Sequence, residues 1–360
     1  MKWNFLLISA LLIFSLTFSI PTLASTQDIP DPSDAKVLIL VANGFGLNYF
    51  DAKKCLESWG VNVTTVVYAL DYNVTACPNR EENYTIADLL LSEMTPEMIQ
   101  EFDCLLVTSG GHWADMIAGE TVLEFISDTF DLGLIVASIC TGTRVIAEAN
   151  GIVNGSKVVA FSLSEPQMMI AGATTVWGIE AVADGHIITG GRGGGTSGGG
   201  WLEAPTSEVC AEIVRHVLGL SRVTDSTLTP SQGFAGTNFT LSITVDSLND
   251  VLSDILSTSI EEVTAHVYGF GNRTLVDTIE LTDENHDGTY LGQFIVSKES
   301  DYVIDVEVED SNSTLEVVKE IESFSVGLDP TKQMDLVLVY TLTGGSILIV
   351  ILVVALIKKK

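Results

Sequence analysis

The chain has 360 residues and a formal charge of −30, with 47 acidic residues against 17 basic ones. Lys2 and three terminal lysines lie outside the exported part read below, which leaves 13 basic residues there and a net charge near −34. Such a balance excludes electrostatic binding to nucleic acid or anionic lipid and suits a solvated surface protein, in high salt or among divalent cations.

The chain opens with Met1-Lys-Trp-Asn, an apolar stretch from Phe5 to Ile20, and the small-residue end Thr22-Leu23-Ala24. This pattern predicts a secretory signal peptide over 1–24, cleaved after Ala24. From residue 35 to about 220, short apolar runs alternate with helical patterns, predicting a doubly wound α/β sheet. Cys55 falls on the first predicted helix. Tyr72 to Tyr84 reads as a polar loop carrying Cys77 and Pro78, and Cys104 starts a strand.

The most informative stretch runs from Leu132 to Ile152. Leu134 to Ile139 is a short, β-branched apolar run of the kind that forms a buried parallel strand. Val145, Ile146 and Ala149 then recur at helical spacing, and Gly151 closes the segment. Cys140 is thereby placed on the tight turn between strand and helix, with Gly142 relaxing the backbone. That turn aims the sulfur at the positive end of a helix dipole, which favours thiolate over thiol. It is the cysteine counterpart of a nucleophile elbow. A buried structural cysteine at a strand end is the other reading of the same residues.

Within the α/β region, Gly190 to Gly200 is nearly all glycine and ends at Trp201. It lacks the Gly-Lys-Ser/Thr of a phosphate-binding loop. It reads as a floppy surface loop or as a lid, with Arg192 binding an anionic ligand and Trp201 closing over it. From Val223 the texture changes to period-two strands: Phe239–Val245, Val263–Tyr268, Gly292–Val296 and Tyr302–Val308. These predict an all-β sandwich over 223–326, of immunoglobulin-like or fibronectin-like type, serving as a stalk and joined to the α/β region near Ser221–Asp225. Asp283, Asn285 and Asp287 match half of a calcium loop, but Phe294 stands where the bidentate Glu belongs, and a hairpin turn explains the Asp-Gly as well. No Cys/His cluster has zinc spacing, and no cofactor is predicted.

Leu336 to Ile357 is uncharged and apolar, long enough to cross a bilayer, and Lys358–Lys360 marks the cytoplasmic side. The expectation is a single-pass protein of the cell membrane with its large N-terminal part outside. Seven of 14 asparagines begin glycosylation sequons: Asn62, Asn73, Asn83, Asn154, Asn238, Asn272 and Asn312. Of the five cysteines, Cys55 and Cys77 are nearest in sequence, but spacing does not give the pairing.

Several landmarks occur in order: Val37 to Phe45 with its glycine turn, Asp103 to Gly111 ending in Gly-Gly, Ala137-Ser-Ile-Cys140-Thr-Gly142, Gly151-Ile-Val-Asn-Gly-Ser-Lys157-Val, and Gly185 to Thr189. In this pattern residues 35–220 resemble the DJ-1/PfpI family of the class I glutamine amidotransferase-like superfamily. The resemblance implies a flavodoxin-like parallel sheet, a nucleophilic Cys140, and an oxyanion hole from amides near Gly111 and Thr141. The family's acidic partner corresponds to Tyr49, whose phenol can still hydrogen-bond a thiolate. The residue after the cysteine, often His, is Thr141, and Phe161 stands at another frequent His or aromatic position. His112, directly after Gly110-Gly111, is the best substitute base, with Asp115 to orient it; a solvated loop histidine is the other reading.

Two functions follow as expectations. One is a cysteine-dependent hydrolase, lyase or hydratase acting on small electrophiles or peptides. The alternative is a non-catalytic ligand-binding or interaction module displayed on the β-sandwich. Small-molecule or peptide ligands are the expected partners, and a homo-oligomer is compatible with either.

Overall fold

Lys36–Ala42 (β1) is buried at every position after Lys36, as its unbroken Val/Leu/Ile run requires of a strand covered on both faces. A computed structural model describes residues 30–77, 84–191, 204–246 and 258–328. The described residues from Asp31 onward belong to one compact unit. The predicted signal peptide, the predicted membrane span 336–357 and its lysine tail lie outside the described residues. Among those described, no helix is long and apolar enough to cross a membrane.

After β1 the chain forms α1 (Asn48–Ser58), β2 (Asn62–Tyr68), β3 (Cys104–Val107), α2 (Trp113–Ala118), α3 (Glu120–Asp131), β4 (Ile135–Ile139) and α4 (Gly142–Glu148). A hairpin of β5 (Ala181–Asp184) and β6 (Ile187–Gly190) and the helix α5 (Thr206–Val217) complete the α/β region. The sheet order is β2-β1-β3-β4-β6-β5, parallel as far as β6 and antiparallel at the β5–β6 hairpin. Alternate strand residues supply two separate cores. Val37, Ile39, Val41 and Leu106 pack with Tyr49, Ala52 and Leu56 of α1 and with Val209 and Ile213 of α5. Leu38, Leu40 and Leu105 pack with Val122 and Ile126 of α3 and with Val145 and Ile146 of α4. This is the predicted doubly wound arrangement. Its strand order reverses between β1 and β3, so their carboxyl ends form the crevice where such sheets bind ligands.

The polar stretch after Asp71 departs from the expected loop. Asn73–Cys77 pairs antiparallel with Tyr84–Ile86 and parallel with Phe45–Gly46, which satisfies backbone groups that a loop would expose.

The C-terminal region is β-rich. β7 (Val223–Thr229), β8 (Asn238–Val245) and β11 (Thr289–Ile295) form one antiparallel sheet, while β9 (Ile260–Gly269), β10 (Leu275–Leu281), β12 (Ser300–Asp310) and β13 (Thr314–Gly327) form another. Strict alternation in β8 turns Phe239, Leu241, Ile243 and Val245 inward against Val263, Val267, Ile304 and Val306. The four strands read from the sequence are all present.

The two regions share a sheet. β13 pairs in parallel with β5, from Ala181↔Thr314 to Asp184↔Val317, so strand pairing runs from β2 to β10. The predicted junction is no exposed linker. Arg222 is buried and donates to Glu212 of α5 (2.8 Å) and to Asp310 and Thr314 of the β-rich region. Arg215, fully buried, bridges Glu212 and Glu316. Lys319 pairs with Asp184 (2.8 Å), and Lys157 with Glu307, across the same seam.

Candidate active site

Cys140 ends β4 with φ +52°, a left-handed conformation that non-glycine residues rarely adopt. The conformation is fixed on both sides. The Cys140 N–H donates to the Gly190 carbonyl (2.7 Å), and the Cys140 carbonyl accepts from the Thr143 N–H (3.1 Å) and hydroxyl (2.5 Å). Gly142 is required by close approach, since a Cβ there would lie 2.4 Å from the Val107 carbonyl oxygen. The predicted elbow is therefore present, holding strain of about 1–3 kcal/mol that the surrounding contacts sustain.

The state of the thiol differs from the expectation. Cys140 is only 3% exposed. Burial pushes its pKa up to about 11, while the Thr141 amide, directed at the sulfur, opposes the shift. Desolvation of a thiolate outweighs the dipole of a helix of only seven residues. At neutral pH the sulfur is protonated.

Thr141 brackets the neighbouring turn: its hydroxyl accepts from the Gly110 N–H (2.8 Å) and donates to the Gly110 carbonyl (3.1 Å). One amide of the glycine turn is thereby occupied by the protein itself. Gly111 is exposed beside it, and a Cβ there would meet the Cys77 sulfur at 3.6 Å. Gly110 (φ +145°) lies against Gly44 and Gly46, so the two glycine turns of the switch point interlock.

His112 is neither a solvated loop residue nor a free base. It is buried, and its Nε2 lies 3.1 Å from the Thr108 carbonyl, which makes that nitrogen the protonated one. Nδ1 then accepts from the Ala42 N–H (3.2 Å). Burial holds the imidazole below its ordinary pKa, against the backbone contacts, so the ring is neutral. It ties the ends of β1 and β3 together. Asp115 is exposed at the start of α2 and does not orient the ring.

Tyr49 is also corrected. It is fully buried in α1, in edge contact with Phe45 and Phe50, and its hydroxyl bonds Thr65 (2.8 Å) and Thr85 (3.1 Å). It is a core tyrosine pinning two strands. Phe161 is half-buried, and its backbone nitrogen would lie 2.4 Å from a Cβ at Gly191. The glycine run therefore starts against the elbow, but Arg192 and Trp201 lie outside the described residues.

Near the elbow, the roles of Arg144, Trp113 and Ser109 went unread in the sequence. Arg144 of α4 stacks over Trp113, 4.0 Å from the ring centroid, clamping the helix after Cys140 to the helix after His112. An Arg at Cys140+4 and a Trp directly after Gly-Gly-His were the available signals. Asn48 and Ser109 bond to each other in the interior (2.7 Å), and the Asn48 amide nitrogen has no protein partner.

The candidate calcium loop is organised by its own turns. Asp283 accepts from the amides of Asp287 and Gly288, and Asp287 accepts from the Thr289 amide and the Asn285 side chain. Among the described residues, no group of three or more His, Cys, Asp or Glu is placed to hold a metal. Six sequon asparagines (Asn62, Asn73, Asn154, Asn238, Asn272 and Asn312) are exposed, and Asn83 lies outside the described residues.

Residues 35–197 match the model of the DJ-1/PfpI family. This segment is a DJ-1/PfpI domain. Similar solved structures include a two-domain protein with DJ-1/ThiJ/PfpI-like and ferritin-like domains from Anabaena variabilis, 21% identical, with 51% of this chain and 48% of that one covered and a TM-score of 0.44. A ThiJ/PfpI domain protein from Brachyspira murdochii is 22% identical over 51% of this chain and 95% of that one, with a TM-score of 0.41. DJ-1beta of Drosophila melanogaster is 20% identical over 51% and 91%, with a TM-score of 0.43. The chain thus spans about half the length of the Anabaena protein. No curated protein matches it.

Proposed function

We propose that this chain is a membrane-anchored cell-surface protein whose DJ-1/PfpI domain carries out cysteine-dependent hydrolase, lyase or hydratase chemistry on small electrophiles or peptides. The observation that carries the reading is the strained backbone of Cys140. A left-handed cysteine held by hydrogen bonds to β6 and α4, over a glycine that nothing larger replaces, is a costly way to end a strand unless the sulfur is used. The sulfur attacks a carbonyl-type carbon, and its proton passes to water or to the substrate, because His112 is engaged by backbone. The exposed sequons, the leader and the apolar C-terminal run support display outside the cell on an immunoglobulin-like stalk.

A second reading, a ligand-binding or interaction module, is favoured by the protonated, buried thiol. Turnover of small aldehydes, isonitriles and peptide amides by the purified full chain separates the two. Turnover lost in Cys140→Ser supports the first reading. Absence of turnover, or turnover unchanged in Cys140→Ser, refutes it in favour of the second. Protease added to intact cells tests the topology: it should release a fragment containing both regions, and a C-terminal tail accessible from outside refutes the orientation.

A further inference from the structure

α1 and α5 lie side by side on one face of the parallel sheet, and each carries a cysteine toward the other. The Cys210 sulfur is 3.9 Å from the Ala52 carbonyl, one turn before Cys55 on α1. Cys55 packs against the core cluster that includes Cys210. Cys77, the neighbour of Cys55 in sequence, sits instead beside Gly111 at the switch point.

We infer that Cys55 and Cys210 form an intramolecular disulfide that clamps the first helix of the domain to its last. The two thiols are unequal in a way that suits exchange. Cys55 is half-buried and within reach of a carrier, whereas Cys210 is fully buried. The Cys210 thiol holds Cys55 below its ordinary value, so Cys55 ionises first. The oxidant is a disulfide, either a small molecule such as oxidised glutathione or the disulfide of an oxidoreductase. The Cys55 thiolate attacks one sulfur of that disulfide, forming a mixed disulfide and releasing the first carrier thiol. Cys210 loses its proton to solvent, and its sulfur displaces the second carrier thiol from Cys55. Two S–H bonds are lost, one S–S bond forms, and the carrier disulfide is reduced to two thiols.

The bond closes a loop that takes in almost the whole α/β domain, the case in which a cross-link restricts the unfolded chain most. Its formation in the cell rests on the reading that the domain is exported to an oxidising compartment; its formation in the test tube does not.

The test uses the full chain purified in detergent, reduced, then incubated with oxidised glutathione, alkylated and mapped by mass spectrometry without reduction. The expected product is a Cys55 peptide linked to a Cys210 peptide. Reduction should lower Tm by on the order of 10 °C. In Cys55→Ser, whose site is half-buried and tolerant, both the linked peptide and the response of Tm to reduction should vanish. Free thiols at both positions after oxidation, or Cys55 linked to Cys77 or Cys104, overturn the inference. Linkage in the purified chain but free thiols in chain trapped directly from cells supports the pair and overturns the export reading.

Discussion

Arg222→Ala removes the cation that holds the seam between the α/β and β-rich regions. The guanidinium donates to both Glu212 oxygens (2.8 and 3.3 Å), to Asp310 and to the Thr314 hydroxyl. Arg222 is 4% exposed, and Glu212 and Asp310 are each 1% exposed, so water does not replace the lost partner. Glu212 keeps Arg215, but Asp310 loses its only ion-pair partner among the described residues. Breaking a buried pair in this way costs about 3–5 kcal/mol. At roughly 2–4 °C per kcal/mol, Tm should fall by about 6–20 °C, the lower end applying to a unit of this size. The pH dependence supplies a second check. Burial alone would raise the Glu212 and Glu316 carboxyls, but Arg215 and Arg222 outweigh it and hold both below the usual range. Groups depressed in the folded state give stability that is full above their unfolded pKa, about 4.3, and is lost as pH falls through the folded values. The gap between wild type and Arg222→Ala should be complete at pH 7 and narrow in acid. Calorimetry of the full chain from pH 3 to 8 measures it. A loss below about 1 kcal/mol at pH 7, a gap that widens in acid, or two independent transitions in the wild type would refute a seam that couples the regions.

Four shorter predictions concern the site. Alkylation of Cys140 should accelerate about tenfold per pH unit from 7 to 10, following a thiol pushed up to about 11, and a plateau near neutral pH would refute the buried thiol. Gly142→Ala places a methyl 2.4 Å from the Val107 carbonyl and should cost about 1–3 kcal/mol or more in chemical denaturation, displacing the elbow. Thr141→Val leaves the Gly110 amide and carbonyl without their bracket and should cost about 1–3 kcal/mol; a neutral result would show water taking its place. The depressed pKa of His112 adds stability that is full above its unfolded value, about 6.5, and declines as pH falls, so His112→Ala should both destabilise the fold and flatten the stability profile between pH 5 and 7. An unchanged profile would mean that the ring is solvated.

What the sequence revealed and what it hid divide along one line. Buried parallel strands must be apolar throughout, so β1 and β4 stood out as runs, and the elbow followed from a cysteine between such a run and a glycine-led helix. Period-two strands such as β8 were legible because one face alone is buried. Tyr49 was placed near the cysteine by its position in a family pattern, yet Tyr49, Ala52 and Leu56 recur at helical spacing, which already assigned it to the core. β13 stayed hidden because its alternation fails where Lys319 turns to Asp184 and Glu320 takes φ +54°. The partners of His112 and Arg222 could not be read at all. His112 is held by an amide 70 residues away and Arg222 by a carboxylate 88 residues away. Local pattern reports which face of an element is buried; it does not report which polar group will be waiting there. Charged residues beside a domain boundary therefore look like a solvated linker until the opposite strand is known, and a histidine after a glycine pair looks like a base until its hydrogen bonds are counted. The same gap explains Cys140. Its turn was written in the sequence, but its setting was not: Cys140 is held by the Gly190 carbonyl at the end of β6, and its neighbour Thr141 by the Gly110 turn after β3, two strand ends that lie far away in the chain.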